Sequence, residues 1–301
     1  MAKRSRRRNK VNKPANYREG KLDASRPDSK PALIALLLVV ILIGSGLYLT
    51  SMVDTEETVT NPTYGVEAEL VTNDHSAEPG GETDFILLVK NTGSVTDTFT
   101  VSTKSNDGGF SISIESGYGT LMLGKDVRKP LIINVKTSAS AEGLLYAFME
   151  VKSGGDPTKK AEVKLNVNTD SNFGNLTEVG DTVDVHYAGI LASNAKLFDS
   201  SMEYVWDNYM YRRDGVTDSN RHIDTLEARH IGCVEANNPS ENCQGSKGMI
   251  DGFDSKMIGM YEGQTLAVRI PANQAYGEAG SSSSDLAGED LIFLIEMVNI
   301  N

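Results

Sequence analysis

Residues 247–280 read KGMIDGFDSKMIGMYEGQTLAVRIPANQAYGEAG and carry three signals in succession. Phe253, Met257 and Met260, at spacings of four and three, set apolar side chains along one side of a short helix at about 251–258. The alternating run from Thr265 to Ile270 then predicts a strand that stops at Pro271. A loop rich in glycine and serine follows, with one tyrosine, Tyr276, between Ala275 and Gly277. That tyrosine is either a packed ring or a hydroxyl held over a pocket. The glycine behind it lets the backbone turn away.

Upstream, VGDTVDVHYAGIL at 179–191 alternates, so Val183, Val185 and Tyr187 share one face of a strand and Asp184 and His186 the other. LFDSS follows at 197–201, and the chain closes on the apolar run LIFLIEMVNI. Five pieces therefore occur in order: V-H-Y-x-G, F-D-S-S, I-x-G-F-D, I-P-x-x-x-A-Y-G and a final apolar strand. This order resembles the FKBP-type peptidyl-prolyl isomerases over residues 178–201 and 247–301. The resemblance implies an α+β domain, a bent antiparallel sheet wrapped across one short helix. It implies apolar pocket walls from Tyr187, Phe198, Phe253 and Phe293. Met249 and Ile250 precede the helix, and the Ile250 backbone N–H anchors substrate. Asp199 is the one carboxylate, at the pocket edge, and the Tyr276 hydroxyl points at the substrate carbonyl.

The chemistry of such a site follows from the peptide bond. An X-Pro bond rotates over tens of seconds or longer because rotation breaks amide resonance. The twisted amide has less charge separation than the planar one, so a dry aromatic pocket disfavours the ground state more than the transition state. One or two hydrogen-bond donors orient the carbonyl. The reaction requires no nucleophile, metal or cofactor, and none is expected here.

Three departures from the family stand out. Phe253 occupies a position where tryptophan is common, which makes the pocket floor smaller. Ser281 to Ser284 fill a loop that usually carries apolar residues and a proline. An insertion at about 202–247 holds Trp206, Tyr204, Tyr209, Tyr211, Cys233 and Cys243. Starting next to F-D-S-S, it is expected beside the pocket mouth, and its aromatics suit a surface that binds unfolded chains. Cys233 and Cys243 are expected to form a disulfide, worth roughly 2–3 kcal/mol in the chain-entropy view. With His222 and His230 they match no familiar zinc spacing.

The other half of the chain is read as follows. Residues 1–30 are a basic tail, with eleven Lys/Arg against three Asp/Glu, so the remainder is more acidic than the net charge of -12 suggests. A basic tail on an acidic body argues against nucleic-acid binding by the body. Residues 31–53, with ALIALLLVVILIGSGLYL at 32–49, are long and apolar enough to cross a bilayer as a single uncleaved helix. The basic cluster before it puts the N-terminus in the cytoplasm and the rest outside. After a linker at 54–61, residues 62–168 show seven short alternating strands separated by EPGGE, NTGSV, SNDGG and SGGDP, which predicts an antiparallel β-sandwich. Phe85, Leu87 and Val89 line one inner face, Leu145, Ala147 and Met149 another, and Asn91-Thr92-Gly93 bends between strands. This segment resembles the immunoglobulin-like modules of microbial surface proteins. A second linker, 169–177, carries the sequon Asn175-Leu176-Thr177 and leads into the isomerase-like domain at 178–301.

The whole is thus expected to be a membrane-anchored prolyl isomerase acting on proline-containing polypeptide clients as exported or surface proteins fold. The alternative is a holdase chaperone or peptide-binding module that keeps the pocket with little catalysis.

Overall fold

A computed structural model describes residues 61–170, 173–222, 224–233 and 249–301. The basic tail, the apolar run at 31–53 and the segment holding Cys243 lie outside these residues. Among the described residues no helix is long and apolar enough to cross a membrane. Residues 61–301 form one compact unit.

Its first part is all strand: β1 (Val66–Leu70), β2 (Asp74–Ser76), β3 (Glu82–Asn91), β4 (Asp97–Asn106), β5 (Phe110–Ile114), β6 (Thr120–Leu123), β7 (Arg128–Thr137), β8 (Leu144–Ser153) and β9 (Lys160–Asn168). Seven of these coincide with the alternating segments. β2 and β6 are additions of three and four residues, too short for alternation to register. The strands make a sheet in the order β1-β3-β7-β5 and a second in the order β2-β9-β8-β4-β6. Between the sheets lie Phe85, Leu87 and Val89 of β3, Leu131, Ile133 and Val135 of β7, and Ala147 and Met149 of β8. The Asn91 side chain organises the bend after β3. Its Oδ1 accepts from the Gly93 N–H at 2.8 Å, and its Nδ2 donates to the Val95 and Leu123 carbonyls at 2.8 and 2.9 Å.

The second part contains β10 (Val183–Leu191), β11 (Leu197–Ser200), α1 (Glu203–Asn208), β12 (Leu226–Ala228), α2 (Asp251–Met257), β13 (Thr265–Ile270) and β14 (Leu291–Ile300). The sheet runs β11-β10-β14-β13, with β12 paired to β10, and every pairing is antiparallel. Helix α2 ends one residue short of the expected span. It buries Phe253 and Met257 against Val183, Val185, Tyr187, Phe293 and Ile295, and Met260 joins the same cluster just past its end.

The opposite face of this sheet is also covered. Ala188 and Ile190 of β10, Ala267 of β13, and Ile292 and Leu294 of β14 pack with Ile86 and Leu88 of β3, Ile132 of β7 and Val71. The β1-β3-β7-β5 sheet is therefore buried on both sides, and residues 61–301 are built of three stacked sheets with α2 on the last. Polar groups fix the junction. Asp84, 3% exposed, accepts from the Ala267 N–H at 2.8 Å and from Asn134 Nδ2 at 2.7 Å, and lies 3.6 Å from Lys256 Nζ. Arg269 makes two bonds to the Glu115 carboxylate, at 2.6 and 2.9 Å, and a third to the Pro130 carbonyl at 3.2 Å. Gln264 Nε2 donates to the Glu82 carbonyl at 2.8 Å.

The insertion corrects one expectation. Trp206 and Tyr209 are 2% and 5% exposed and belong to this junction, not to an open client surface. The Trp206 indole N–H donates to Asp218 at 2.8 Å, and the Tyr209 hydroxyl to the Ala195 carbonyl at 2.5 Å. Tyr211 packs partly on the same cluster, with the Arg128 guanidinium over its ring, and only Tyr204 of the four aromatics is largely exposed. The physical reason is burial: three apolar rings on one short stretch cover an otherwise bare sheet face. Thr177 of the sequon is likewise internal, donating to the Met257 carbonyl at 2.6 Å and accepting from the Met260 N–H at 3.0 Å.

Candidate functional site

Between α2 and the β11-β10-β14-β13 sheet lies a cavity of about 150 Å³. Tyr187, Phe198, Asp199, Met249, Ile250, Phe253, Tyr276 and Phe293 all line it, so the residues singled out in the sequence meet in one place. The ninth lining residue, Leu226 of β12, belongs to the insertion.

The rings are locked edge to face. Phe253 and Phe293 have centroids 4.9 Å apart at 81°, Phe198 and Phe293 5.5 Å at 86°, and Tyr187 and Phe253 6.1 Å at 90°. Such pairs add about 0.5–1.5 kcal/mol each beyond area burial, so the walls are stiff. Gly189 is required beneath them. It stands opposite Phe293 in the β10–β14 register, and a Cβ there would collide with the Phe198 ring.

The F-D-S-S stretch clamps Tyr187 from below. Ser201 Oγ accepts from the Tyr187 N–H at 3.0 Å, and Ser200 Oγ donates to the Tyr187 carbonyl at 3.0 Å. Asp199 lines the cavity. Its Oδ2 accepts from the Tyr187 hydroxyl at 2.5 Å, and Oδ1 is buried with no partner among the described residues. Burial, followed by the Asp199 hydrogen bond and charge, pushes the Tyr187 phenol well above its ordinary value. Tyr276 is raised too, by burial first and then by Asp199 and Asp285. Both phenols thus stay protonated at neutral pH, and the Tyr187 hydroxyl donates to Asp199.

Tyr276 follows a short 3₁₀ turn at Ala272–Gln274, and its ring is 37% exposed. Gly277 behind it has φ +89, which only glycine adopts without strain, and a Cβ there would meet the Ser281 hydroxyl. Ile250 stands at the N-terminus of α2, and its N–H donates to no described group. His186 faces away from the cavity and lies 3.2 Å from Ser201 Oγ.

Two contributors escaped the sequence reading. Leu226 pairs with Val185 in the β10–β12 register and lines the cavity wall. His222 places Nδ1 2.9 Å from Asp199 Oδ2 and 3.1 Å from the Tyr187 hydroxyl oxygen. Both come from the insertion, whose sequence has no periodic pattern to mark them. The insertion also reaches the mouth, as expected from its start. Arg213 to Val216, with Asp285 and Leu286, line an adjoining cavity of about 320 Å³ that shares Phe198, Asp199 and Tyr276. Arg213 and Asp285 pair across it at 2.9 Å. Leu286, 8% exposed, supplies the apolar side chain that Ser281 to Ser284 cannot. Cys233 is buried, and no cysteine is free among the described residues. No cluster of potential metal ligands occurs among those residues either.

A family model of the FKBP-type peptidyl-prolyl cis-trans isomerases matches residues 226–298. The chain is 31% identical over 122 residues to the peptidyl-prolyl cis-trans isomerase FKBP15-2 of Arabidopsis thaliana, covering 40% of this chain and 55% of that protein. It is 25% identical over 158 residues to FK506-binding protein 2 of Dictyostelium discoideum, covering 52% and 93%, respectively. It is 27% identical over 148 residues to an FK506-binding protein of Streptomyces anulatus, covering 49% and 91%. The chain thus spans about half the length of the first of these relatives and most of the other two.

Proposed function

We propose that the FKBP-type peptidyl-prolyl cis-trans isomerase domain of this chain speeds X-Pro rotation in exported or cell-surface polypeptides as they fold. The observation that carries this reading is the cavity itself: stiff aromatic walls, one carboxylate at the edge and two protonated phenols. Its size suits a prolyl ring. The rings exclude water from the amide, which favours the less polar twisted state. Tyr276 and the Ile250 N–H are the donors for the flanking carbonyls. Nothing in the proposed step forms or breaks a covalent bond.

The placement outside the cytoplasm rests on the apolar run at 32–49 and the basic cluster before it. The same placement favours a Cys233–Cys243 disulfide. The two facing, largely antiparallel sheets of residues 66–168 favour the immunoglobulin-like reading of the first part. The holdase alternative loses its main support, because Trp206 and Tyr209 are buried.

The test is isomerisation of a set of X-Pro peptides by the full chain, wild type against Phe198→Ala. Loss of one wall ring is expected to lower kcat/KM by more than about tenfold. A wild-type chain that binds the peptides without accelerating them makes the cavity a recognition site instead.

A further inference from the structure

Among the side chains around the cavity, His222 is the one whose contacts the proposed reaction does not yet use. It lies on the insertion, two-thirds exposed, yet its Nδ1 is 2.9 Å from Asp199 Oδ2 and 3.1 Å from the Tyr187 hydroxyl oxygen. Resting on the isomerase reading, we propose that His222 is a positioning residue that holds the Asp199–Tyr187 pair and makes the isomerase site responsive to pH.

Asp199 is poorly provided for. One oxygen is buried with no partner among the described residues, and the other takes the Tyr187 hydroxyl. A carboxylate so placed beside aromatic walls draws water unless a second donor offsets its charge. His222 is placed to supply that donor. As imidazolium, Nδ1–H gives Asp199 a charge-assisted bond, and Tyr187 keeps its own. As neutral imidazole it either keeps Nδ1–H on Asp199 without the charge or, with the proton on Nε2, turns Nδ1 into an acceptor that competes with Asp199 for the Tyr187 proton. The Tyr187 ring is a cavity wall, so its setting changes with the state of His222.

Among the described residues, the groups facing the imidazole are few. They are Asp199 of β11 and Tyr187 of β10, whose ring lies 6.4 Å away, with Tyr276 acting on both at longer range. The adjacent Arg221 is turned elsewhere, toward Asp207 at 3.8 Å and the Trp206 ring. Imidazole can gain or lose a proton under physiological conditions, so its protonation decides whether Asp199 has a counter-charge beside it. Activity should therefore fall as rising pH takes the proton from the imidazole.

The test compares the full wild-type chain with His222→Phe and His222→Arg, from about pH 5.5 to pH 8.5. Both kcat/KM on an X-Pro peptide and the Kd of that peptide are measured. Wild type is expected to lose about three- to tenfold across the range. His222→Arg, permanently charged, should hold the low-pH value throughout, which also shows that substitution here leaves the fold intact. His222→Phe should sit at the low value and be flat. Wild-type and His222→Phe profiles that coincide in both readouts would overturn the proposal. A wild-type chain with no turnover sinks the isomerase reading alone, because the pH dependence of Kd still reports on His222.

Discussion

The sheet β11-β10-β14-β13 has two faces made of much the same residue types. One carries Val183, Val185, Tyr187, Phe293 and Ile295, and the other Ala188, Ile190, Ile292 and Leu294. The first is left partly open, with a cavity held between the sheet and α2. The second is closed by Trp206, Ile86, Leu88 and Ile132, with Asp84 and Arg269 joining strand to strand. A single strand, β14, serves both, since Phe293 points one way and Ile292 and Leu294 the other. A face that must stay hollow for a ligand loses packing contacts, and the closed face opposite keeps its backbone in place. The sandwich is in that sense part of what holds the cavity's sheet in shape. Cutting the chain near residue 172 would expose an apolar face, and the intact chain is the proper object of assay.

The sharpest way to break this comparison is Trp206→Ala. The residue does not line the cavity but fills the junction, so the expected cost is about 3–5 kcal/mol of stability. For a unit of this size that is a melting temperature lower by roughly 10 °C. Calorimetry on the full chain reads it. An unchanged transition would mean that the closed face carries no stabilising load.

Acid tests the same junction from the other side. His75 is buried, stacked on Phe85 at 4.2 Å, and lies 2.6 Å from Thr72 Oγ1. Its neighbour Thr83 donates to the Thr265 carbonyl of β13 at 2.8 Å. Burial pushes the His75 imidazole down from 6.5 to about 4. The folded form holds it neutral and the unfolded chain does not, so its contribution is present above pH 6.5 and lost as pH falls toward 4. The loss is about 3 kcal/mol. Asp84, raised by burial, runs in the opposite sense: its protonation relieves a cost as pH falls, so it offsets part of the His75 loss, equally in wild type and in His75→Gln. Denaturant midpoints between these pH values should fall for wild type and much less for His75→Gln. Equal slopes would remove His75 from the junction's energetics.

What the sequence revealed divides along the same line. The open face was legible because each of its residues sits in a dense local motif: Tyr187 in V-H-Y-x-G, Phe198 and Asp199 in F-D-S-S, Phe253 in I-x-G-F-D, and Tyr276 before Gly277. The closed face was not. DFILLVK was read as alternating, with Phe85, Leu87 and Val89 inward, although Ile86 and Leu88 are as apolar as their neighbours. A strand apolar at every position is buried on both sides, and the LIFLI run of β14 carries the same mark. Trp206 was misplaced for a different reason. An aromatic in an unpatterned insertion gives its burial no direction, and only the bare sheet face beside it decides. His222 and Leu226 share that difficulty, as neither stands at a spacing that ties it to β10 or β11.

The smallest effect tests the opening ambiguity of Tyr276. Its ring is 37% exposed, lies on both cavities and is backed by the positive φ of Gly277, so packing accounts for little of its placement. Tyr276→Phe keeps the ring and removes the donor. A donor used mainly as the amide twists should cost kcat about two- to tenfold, the range of one net hydrogen bond. Peptide Kd should move less than about twofold, since the ground state uses the ring alone. If kcat holds while Kd weakens, the hydroxyl serves binding and the donor to the twisting amide is the Ile250 N–H. If neither moves, the ring is only a lip of the cavity. The open face would then work by exclusion of water alone, which makes the stiffness supplied by the closed face the larger part of catalysis.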